Sequence, residues 1–481
     1  MIYENESLKK AIDISLKFKS QKNFRCKTEI PIQKIINDSL PDTGTAVEKL
    51  IKKFEENYLP FCSNFSSPYF MGFPDAGNSL YGLIGSIFSD MLQQNLINSN
   101  FCSPIATLME INVIQWLRNF VGYDCKHVEY IDDVGGIITA GGTMSNTIAM
   151  MLARESHKIN TMITGVKNPD DFKVIIPKNI AHYSISSSLQ WIGCGNNIIE
   201  VETAEYRYSI SSLKKALKKY KGKIMAVVLY AGDSRTMTIE HIETIYNIVK
   251  NYDSTIWIHA DACNGFCLSF SEKYKHLLNG IDKCDSITLD PHKMMQLTYT
   301  ASCLLVRNPN ALKLIKTKSD LIMTEKLAFG QITPFLGSKS WMSLKLWFAM
   351  RGLGKNGLEK NINNKYDLTQ QFKHILMSSN DFVVLNEVQA FSICFMYIGN
   401  QSVSNINEIN NINKLIYNEI MKEGIYYLHQ FPLIDDKKVL TNGDILYPLR
   451  FFSGNEYLTI NDIKQLIKYI RNKGKQIINK K

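Results

Sequence analysis

Three short segments of the chain contain the residue types that catalysis and ligand binding use. Residues 139–146 read TAGGTMSN, residues 257–265 read WIHADACNG, and residues 284–295 read CDSITLDPHKMM. The first offers small residues and backbone amides, the second offers a carboxylate, and the third offers an imidazole and an amine. Each follows or contains an apolar run that is typical of a buried strand.

The glycine-rich segment 139–146 predicts an anion site. It lies between strand-like residues 135–139 and a helical pattern over residues 145–155. A turn at this point lets backbone N–H groups approach an anion, and the helix N-terminus adds a favourable dipole. A tight turn without a ligand explains this segment alone equally well. Because it lacks the lysine of a P-loop and the spacing of a dinucleotide fingerprint, it suits one phosphate and not a triphosphate.

The other two segments predict a carboxylate and an amine at strand ends. Asp261 ends an apolar strand, where the ligands of open α/β sheets bind, although the same residue could cap the next turn. His292 and Lys293 follow another strand, and in isolation they could form a surface turn. Beside two methionines, Lys293 is expected to be partly desolvated, which would lower the pKa of its amine and favour a nucleophile.

Together, an anion cradle, an edge carboxylate and a strand-end lysine are the parts that hold pyridoxal 5'-phosphate. The lysine makes an imine, the carboxylate keeps the pyridine nitrogen protonated, and the cradle binds the phosphate. His182, in the segment AHYS, adds a flat side chain for stacking on the cofactor ring. A single histidine is more often structural, so this assignment depends on the other three parts.

The elements between these segments predict an α/β domain. Over residues 65–355, short β-rich runs alternate with amphipathic helices, which favours a largely parallel sheet with helices on both faces. Residues 1–64 are predicted to form an N-terminal helical segment, and residues 356–481 a small α+β domain. Glycines and asparagines over residues 352–364 suggest a hinge between the two domains, and Thr459 or Asn461 is predicted to cap the final helix.

Composition excludes several classes of protein. The chain of 481 residues carries 55 Lys and Arg against 45 Asp and Glu, a net charge of +10. The basic residues are dispersed at helical spacing, so solvated helix faces are a better interpretation than nucleic-acid or membrane binding. No leader is visible, and no apolar run approaches the roughly 20 residues of a membrane span. Ten scattered cysteines without metal spacing indicate free thiols, no metal and a cytoplasmic location.

The sequence resembles the group II pyridoxal-phosphate-dependent amino-acid decarboxylases of fold type I, among them glutamate, cysteine-sulfinate, aromatic-amino-acid and diaminobutyrate decarboxylases. The resemblance runs from about residue 40 to the C-terminus. The matching motifs are SPYF (67–70), SPIATLME (103–110), WLR (116–118), GGTMSN (141–146), AHYS (181–184), HADA (259–262), DPHK (290–293) and SLKLW (343–347). It implies a homodimer with active sites at the interface, no nucleic-acid partner and no membrane partner.

The resemblance also implies residue roles and an activity. The expected reaction is decarboxylation of an L-amino acid to its amine and carbon dioxide, with Arg450 binding the substrate carboxylate. The residues implied to bind the cofactor are Lys293 through the imine, Asp261 at the pyridine nitrogen, His182 and Cys263 on the two ring faces, Thr143, Met144 and His292 at the phosphate, and Asp290 in the lysine motif.

Two substitutions depart from the family pattern and bear on the substrate. Asp233 stands in a segment where the family usually has Gly-Thr-Thr. A carboxylate near the cofactor would repel acidic substrates and attract a second amine, which favours neutral or basic amino acids over glutamate. Lys339 replaces a usual arginine, and a lysine cannot make the same bidentate contact.

A third departure concerns the product. The family's mobile loop carries a tyrosine thought to protonate Cα, whereas this chain has none between Tyr299 and Tyr366. Phe329 lies near the expected place and is expected to contact substrate. In relatives without the hydroxyl, oxygen intercepts the carbanion and an aldehyde forms by oxidative deamination. The aldehyde is therefore one alternative, and a non-catalytic protein, transamination and desulfuration are others.

Overall fold

The computed structural model describes residues 5–125, 127–317, 319–320, 324–399 and 405–480. Its α-helices are α1 (Asn5–Lys19), α2 (Ile32–Ile36), α3 (Val47–Asn57), α4 (Leu80–Leu92), α5 (Pro104–Phe120), α6 (Gly142–His157), α7 (Thr161–Thr164), α8 (Ser184–Trp191), α9 (Ile210–Lys219), α10 (Ile242–Tyr252), α11 (Ser343–Met377), α12 (Ile406–Glu423) and α13 (Ile460–Asn479). Its β-strands are β1 (Gly136–Thr139), β2 (Lys173–Pro177), β3 (Ile198–Val201), β4 (Thr203–Ala204), β5 (Arg207–Tyr208), β6 (Ile224–Tyr230), β7 (Trp257–Asp261), β8 (Ser286–Leu289), β9 (Ser302–Val306), β10 (Phe382–Val384), β11 (Ser392–Tyr397), β12 (His429–Gln430), β13 (Leu433–Ile434), β14 (Ile445–Leu446) and β15 (Leu449–Phe452).

Seven strands form one large sheet in the order β1-β9-β8-β7-β6-β2-β3. All run parallel except β9, which is antiparallel to both of its neighbours. Every residue of β6 is buried, because helices cover both faces of the sheet, and such strands read as continuous apolar runs. The predicted α/β class with a mostly parallel sheet is confirmed.

The strands at the centre of this sheet end side by side. In the register of the ladders, Asp261 of β7 lies opposite Tyr230 of β6 and Thr288 of β8. The carboxyl edge therefore presents Asp261 next to the turn that follows β8. Helix α6 begins just after β1 and brings its N-terminus to the same edge.

The two largest hydrophobic cores belong to different sheets. The larger core surrounds the seven-stranded sheet and contains residues from Leu96 to Ile362, joined by three residues from later in the chain. The second core packs α12 and α13 against the antiparallel sheet β10-β11-β15-β12. Tyr69 and Met71 pack into this second core, although they lie near the start of the predicted large domain in sequence.

The predicted hinge region contains a kink between two helical segments. Residues 352–364 lie within the range of α11, which Gly354 interrupts with a non-helical φ of 61° and ψ of 179°. Gly352 is required for packing, since a Cβ there would meet the Tyr81 ring at 2.4 Å. At the end of the chain, Thr459 caps α13 through a reciprocal pair of hydrogen bonds with Asp462, as expected.

The surface agrees with the interpretation of the positive charge as solvated. The lysines of α9 are exposed while its Leu213 and Leu217 are buried, so the helix is amphipathic. No helix in the part of the chain that the structure covers is long and apolar enough to cross a bilayer. All ten cysteines are free thiols.

A fully buried ion pair fixes the segment that precedes α11. Lys339 Nζ lies 2.7 Å from Glu110 Oε1 on α5, and both side chains are 0% exposed. The lysine ammonium also lies 5.3 Å from the centre of the Phe329 ring. Burial raises the pKa of Glu110, and the charge of Lys339 opposes that rise. Lys339 therefore pairs with Glu110 through one ammonium group and not through a bidentate contact.

Substitution of Lys339 tests how much this pair stabilises the fold. Lys339→Met strands a carboxylate in the core and should lower the free energy of unfolding by about 3–5 kcal/mol, measured by urea denaturation. Glu110→Leu combined with Lys339→Met should recover most of that loss. Lys326→Met, which breaks the exposed pair with Glu129, should leave stability nearly unchanged. A double variant no more stable than Lys339→Met would contradict the argument.

Candidate active site

Lys293 lies in the turn after β8 and is held by a buried carboxylate. Its Nζ is 3.0 Å from Asp290 Oδ2, three residues earlier in the chain. Ser302, on the neighbouring β9, donates a hydrogen bond of 2.5 Å to the other oxygen of Asp290. His292 Nδ1 donates to the carbonyl of Ala301 at 2.8 Å, so its Nε2 is left to face the site. The turn thus presents an amine and an imidazole on a fixed backbone.

The expected pKa of Lys293 is wrong in direction. Burial lowers the pKa of its ammonium, but Asp290 and the other acidic groups nearby raise it above its ordinary value. Burial likewise raises the pKa of Asp290, and Lys293 reverses this, so that the pKa of Asp290 is lowered. The two groups form an ion pair, because a charge 3.0 Å away outweighs desolvation. Burial desolvates the amine as predicted, but the charge of Asp290, three residues earlier, outweighs that effect.

Asp261 is buried at the end of β7 and accepts two hydrogen bonds from uncharged donors. Asn146 Nδ2 donates to Oδ2 at 3.0 Å, and the amide of Cys263 donates to Oδ1 at 3.2 Å. Asn146 lies on the first turns of α6, so this contact joins the glycine-rich turn to the strand that carries the carboxylate. The carboxylate is therefore oriented before any ligand binds.

A chain of buried hydrogen bonds behind Asp261 fixes the donors and acceptors. Trp257 Nε1 donates to Ser286 Oγ, which donates to His259 Nδ1, both at 2.8 Å. His259 Nε2 donates to Asn146 Oδ1 at 3.1 Å, leaving the amide nitrogen of Asn146 to face Asp261. Burial lowers the pKa of His259 to about 4, so it is neutral, as this pattern requires.

His182 belongs to the same hydrogen-bond network through Ser184. Asn146 Nδ2 also donates to Ser184 Oγ at 2.8 Å, and that hydroxyl lies 2.8 Å from His182 Nδ1. The amide of Ser184 donates to the same nitrogen at 3.3 Å, so Nδ1 is an acceptor and Nε2 carries the hydrogen. Burial lowers the pKa of His182. The ring is a neutral donor with a fixed orientation.

These groups surround a cavity of about 330 Å³. Its lining includes the amine, the edge carboxylate, the glycine-rich turn and both histidines. The lining residues are Ala140, Gly141, Gly142, Thr143, Met144, Asn146, His182, Ser184, Tyr230, Gly232, Ser234, Asp261, Cys263, Asn264, Asp290, His292, Lys293, Tyr299 and Thr300. The structure thus brings together eight of the ten site residues that the sequence predicts.

The cavity has the features that pyridoxal phosphate requires. Its volume falls at the lower end of small-molecule sites. The first amides of α6, at Gly142 and Thr143, have no acceptor within the helix and suit a phosphate. Gly142 must lack a side chain, since a Cβ would lie 2.8 Å from Asp290 and 2.9 Å from Cys263 Sγ. Lys293 and Asp261 offer the amine and the carboxylate, so the residues fit the cofactor.

Phe329 does not line this cavity, contrary to the expectation that it binds substrate. The ring is 0% exposed and packs beside the ammonium of Lys339 in the large core. Within its own chain, the Phe329 ring therefore has no surface in the cavity. Residues 318 and 321–323, within the segment expected to form the catalytic loop, lie outside the described residues.

Asp233 does not act on a ligand as the sequence suggested. The carboxylate is fully buried and accepts four hydrogen bonds of 2.5–2.8 Å. The donors are the amides of Arg235, Thr236 and Thr238 and the hydroxyl of Thr236. They close a turn after β6, so the carboxylate has no free oxygen for a substrate amine.

Arg450 lies behind the cavity wall. Its Nη1 donates to the carbonyl of Ser234, which lines the cavity, and its Nη2 donates to the carbonyl of Gly72 at 3.0 Å. Among the described residues, its buried Nε has no hydrogen-bond partner. Burial lowers the pKa of the guanidinium. The side chain holds two backbone segments together, and its contact with a substrate carboxylate stays a prediction.

Sequence reasoning missed the residues that orient the site. Asn146, Ser184 and His259 form the hydrogen bonds behind the ligand cavity, although all three stand inside motifs that the sequence singled out. The sequence signal for this network is Asn146, which stands one turn into the helix after the glycine-rich segment and can reach the aspartate at the end of a neighbouring strand. Tyr299 was noted only as the last tyrosine before a gap, yet it lines the cavity.

The fold and the site define an enzyme that uses pyridoxal phosphate. A model described as the pyridoxal-dependent decarboxylase conserved domain matches residues 31–398. The chain belongs to this family, and its cofactor is pyridoxal phosphate. The predicted family, cofactor and class of enzyme, a carbon–carbon lyase acting on amino acids, are confirmed.

Individual relatives are distant. An aromatic-L-amino-acid decarboxylase from Bacillus atrophaeus is 26% identical over 406 residues, 82% of this chain and 80% of the relative. A phenylacetaldehyde synthase from Petunia hybrida is 20% identical over 468 residues, covering 93% and 88% of the two chains. The crystal structure of mouse CSAD in apo form aligns with a TM-score of 0.87 at 20% identity and covers 98% of both chains.

Asn146→Leu tests the hydrogen-bond network. The variant removes one hydrogen-bond donor to Asp261 and the hydrogen-bond acceptor of His259. The free energy of unfolding should therefore fall by about 2–4 kcal/mol. Cofactor binding should also weaken, because only the Cys263 amide still orients Asp261. Urea denaturation of the apoprotein and titration with pyridoxal phosphate measure the two effects. Asn112→Leu, at an exposed position on α5, is the control. Unchanged stability and affinity in Asn146→Leu would refute the role of the network.

Proposed function

We propose that the protein decarboxylates an L-amino acid to the corresponding amine and carbon dioxide, with Lys293 as the residue that carries the cofactor. One observation carries the proposal: Lys293 and Asp261 line the same buried cavity, each fixed by its own hydrogen-bonded partner. Bound pyridoxal phosphate supplies an electron sink for the pair of electrons released when the carboxylate leaves.

The chain's residues have separate tasks in this proposal. Asp261 would pair with the pyridine nitrogen and keep it protonated, while the amides of α6 and His292 would hold the phosphate. His182 would stack on the ring, and its Nε2–H is a fixed donor within the cavity. The ion pair with Asp290 keeps the Lys293 amine beside the cofactor before the covalent bond forms.

The amine is the proposed product because two protonated groups in the cavity lining could donate a proton to Cα of a bound substrate. His182 carries hydrogen on Nε2, and burial raises the pKa of Tyr299, which keeps its phenol protonated. The aldehyde is the second candidate. It is favoured by the lack of a tyrosine between residues 299 and 366 and by the similarity to a phenylacetaldehyde synthase.

A homodimer agrees with the exposed apolar residues on α4 and in the segment that follows it. Leu80, Phe88 and Met91 of α4 are 66%, 48% and 67% exposed, and Phe101 is 72% exposed. Such a set is unusual on a monomer and typical of a surface that a second copy covers. We infer that the dimer implied by the sequence resemblance uses this surface.

A product assay tests the proposal. The holoenzyme is incubated with a mixture of the L-amino acids, and mass spectrometry identifies the amine or aldehyde that appears. Carbon dioxide and an amine without hydrogen peroxide or ammonia are the expected result. Equal amounts of peroxide, ammonia and aldehyde would replace the proposal with oxidative deamination, and no carbon dioxide from any amino acid would reject both.

Lys293→Ala tests the cofactor lysine. The variant should lose the visible absorbance of the lysine-bound cofactor, and its turnover should fall by about a thousandfold or more because the nucleophile is missing. Absorbance spectra and initial rates measure the two effects. Lys360→Ala, at an exposed position on α11, should match the wild type. Retention of the absorbance band in Lys293→Ala would place the cofactor on another lysine.

A further inference from the structure

Asp75 is a carboxylate next to the cavity that the proposed mechanism does not use, and it contacts Tyr299 in the cavity lining. It follows Pro74 in the segment between the N-terminal helices and α4. Its Oδ1 is shielded from solvent and, within the described part of the chain, accepts no hydrogen bond. Buried polar atoms are nearly always paired, so a buried carboxylate oxygen without a donor indicates a ligand contact.

The groups around Asp75 are those of the cavity. Tyr299, which lines the cavity, shares a hydrogen bond with this carboxylate through its hydroxyl. The charges that act on Asp75 most strongly are the ammonium of Lys293 and the imidazole of His292, both in the lining. The ring of Tyr299 lies 5.2 Å from that of His292. Asp75 therefore lies beside the amine end of the cavity.

Among the described residues, no cation forms an ion pair with Asp75. Lys293 lies 3.0 Å from Asp290 and is used by the cofactor, and Tyr299 is uncharged. Burial raises the pKa of Asp75, and Lys293 and His292 only partly oppose this rise. A buried carboxylate without its own cation is costly, and a cationic ligand would offset the cost. Asp233, in contrast, is satisfied by four donors and needs none.

We propose that Asp75 binds a positively charged group on the substrate side chain, so that the substrates are amino acids with a second amine. The inference rests on the proposed decarboxylation and names its substrate class. A carboxylate beside the cavity, with one oxygen that accepts no hydrogen bond from the described residues, attracts an ammonium and repels the side chain of an acidic amino acid. Tyr299 acts as a positioning residue because its hydroxyl orients the carboxylate.

The test compares amino acids that differ only in the second amine. L-2,4-diaminobutyrate, L-ornithine and L-lysine are assayed against L-2-aminobutyrate, L-norvaline and L-norleucine with the holoenzyme. The wild type should favour at least one diamino acid over its neutral analogue by about tenfold or more in kcat/KM. Asp75→Asn, which keeps the shape and removes the charge, should abolish that preference while the rate with the neutral analogue stays within about twofold.

The controls separate the possible failures. Asp444→Asn, at an exposed loop position, should keep the wild-type preference. Equal turnover of both sets by the wild type, or an equal loss for both in Asp75→Asn, would overturn the inference and leave the decarboxylation intact. If no amino acid is decarboxylated, the proposed function fails, and the inference fails with it. If Asp75→Asn does not retain the cofactor absorbance, the inference stands or falls with the preference of the wild type for diamino acids over their neutral analogues.

Discussion

The hydrogen bond between Asn146 and Asp261 is the contact on which the geometry of the site depends. It joins the helix that begins at the glycine-rich turn to the strand that carries the edge carboxylate. The same asparagine holds Ser184, and through it His182, while its oxygen accepts from His259. The helix after the glycine-rich turn, the carboxylate of Asp261 and the ring of His182 are therefore positioned by one side chain. Because each of its polar atoms is used, the side chain has a single orientation.

The parallel sheet makes this arrangement possible. Strands β6, β7 and β8 end at one edge, so residues distant in sequence lie within hydrogen-bond reach of one another. Charged side chains buried in the protein need partners. Lys293 has Asp290, Lys339 has Glu110, and Asp233 has four uncharged donors. Asp75 differs because it forms no ion pair with a described residue, and one of its buried oxygens accepts no hydrogen bond from those residues.

The sequence predicted the elements and the reactive groups well, because each depends on local pattern. Alternating apolar runs and helices gave the parallel sheet, and the strand-end positions of Asp261 and Lys293 placed both in the cavity. What it could not predict depends on contacts between distant segments. Asp290 reverses the expected pKa shift of Lys293, and turn amides occupy Asp233. Phe329 is enclosed by the large core, so the residue nearest the expected loop position does not reach the site.

The identity of the lysine that carries the cofactor is the claim on which the site and the proposed function both rest. Borohydride reduction of the holoenzyme fixes the cofactor to its lysine, and peptide mass mapping then identifies the modified residue. The structure predicts a single modified lysine, Lys293, in the turn after β8. Modification of the buried Lys345 or Lys365 instead, or no modified peptide at all, would contradict it.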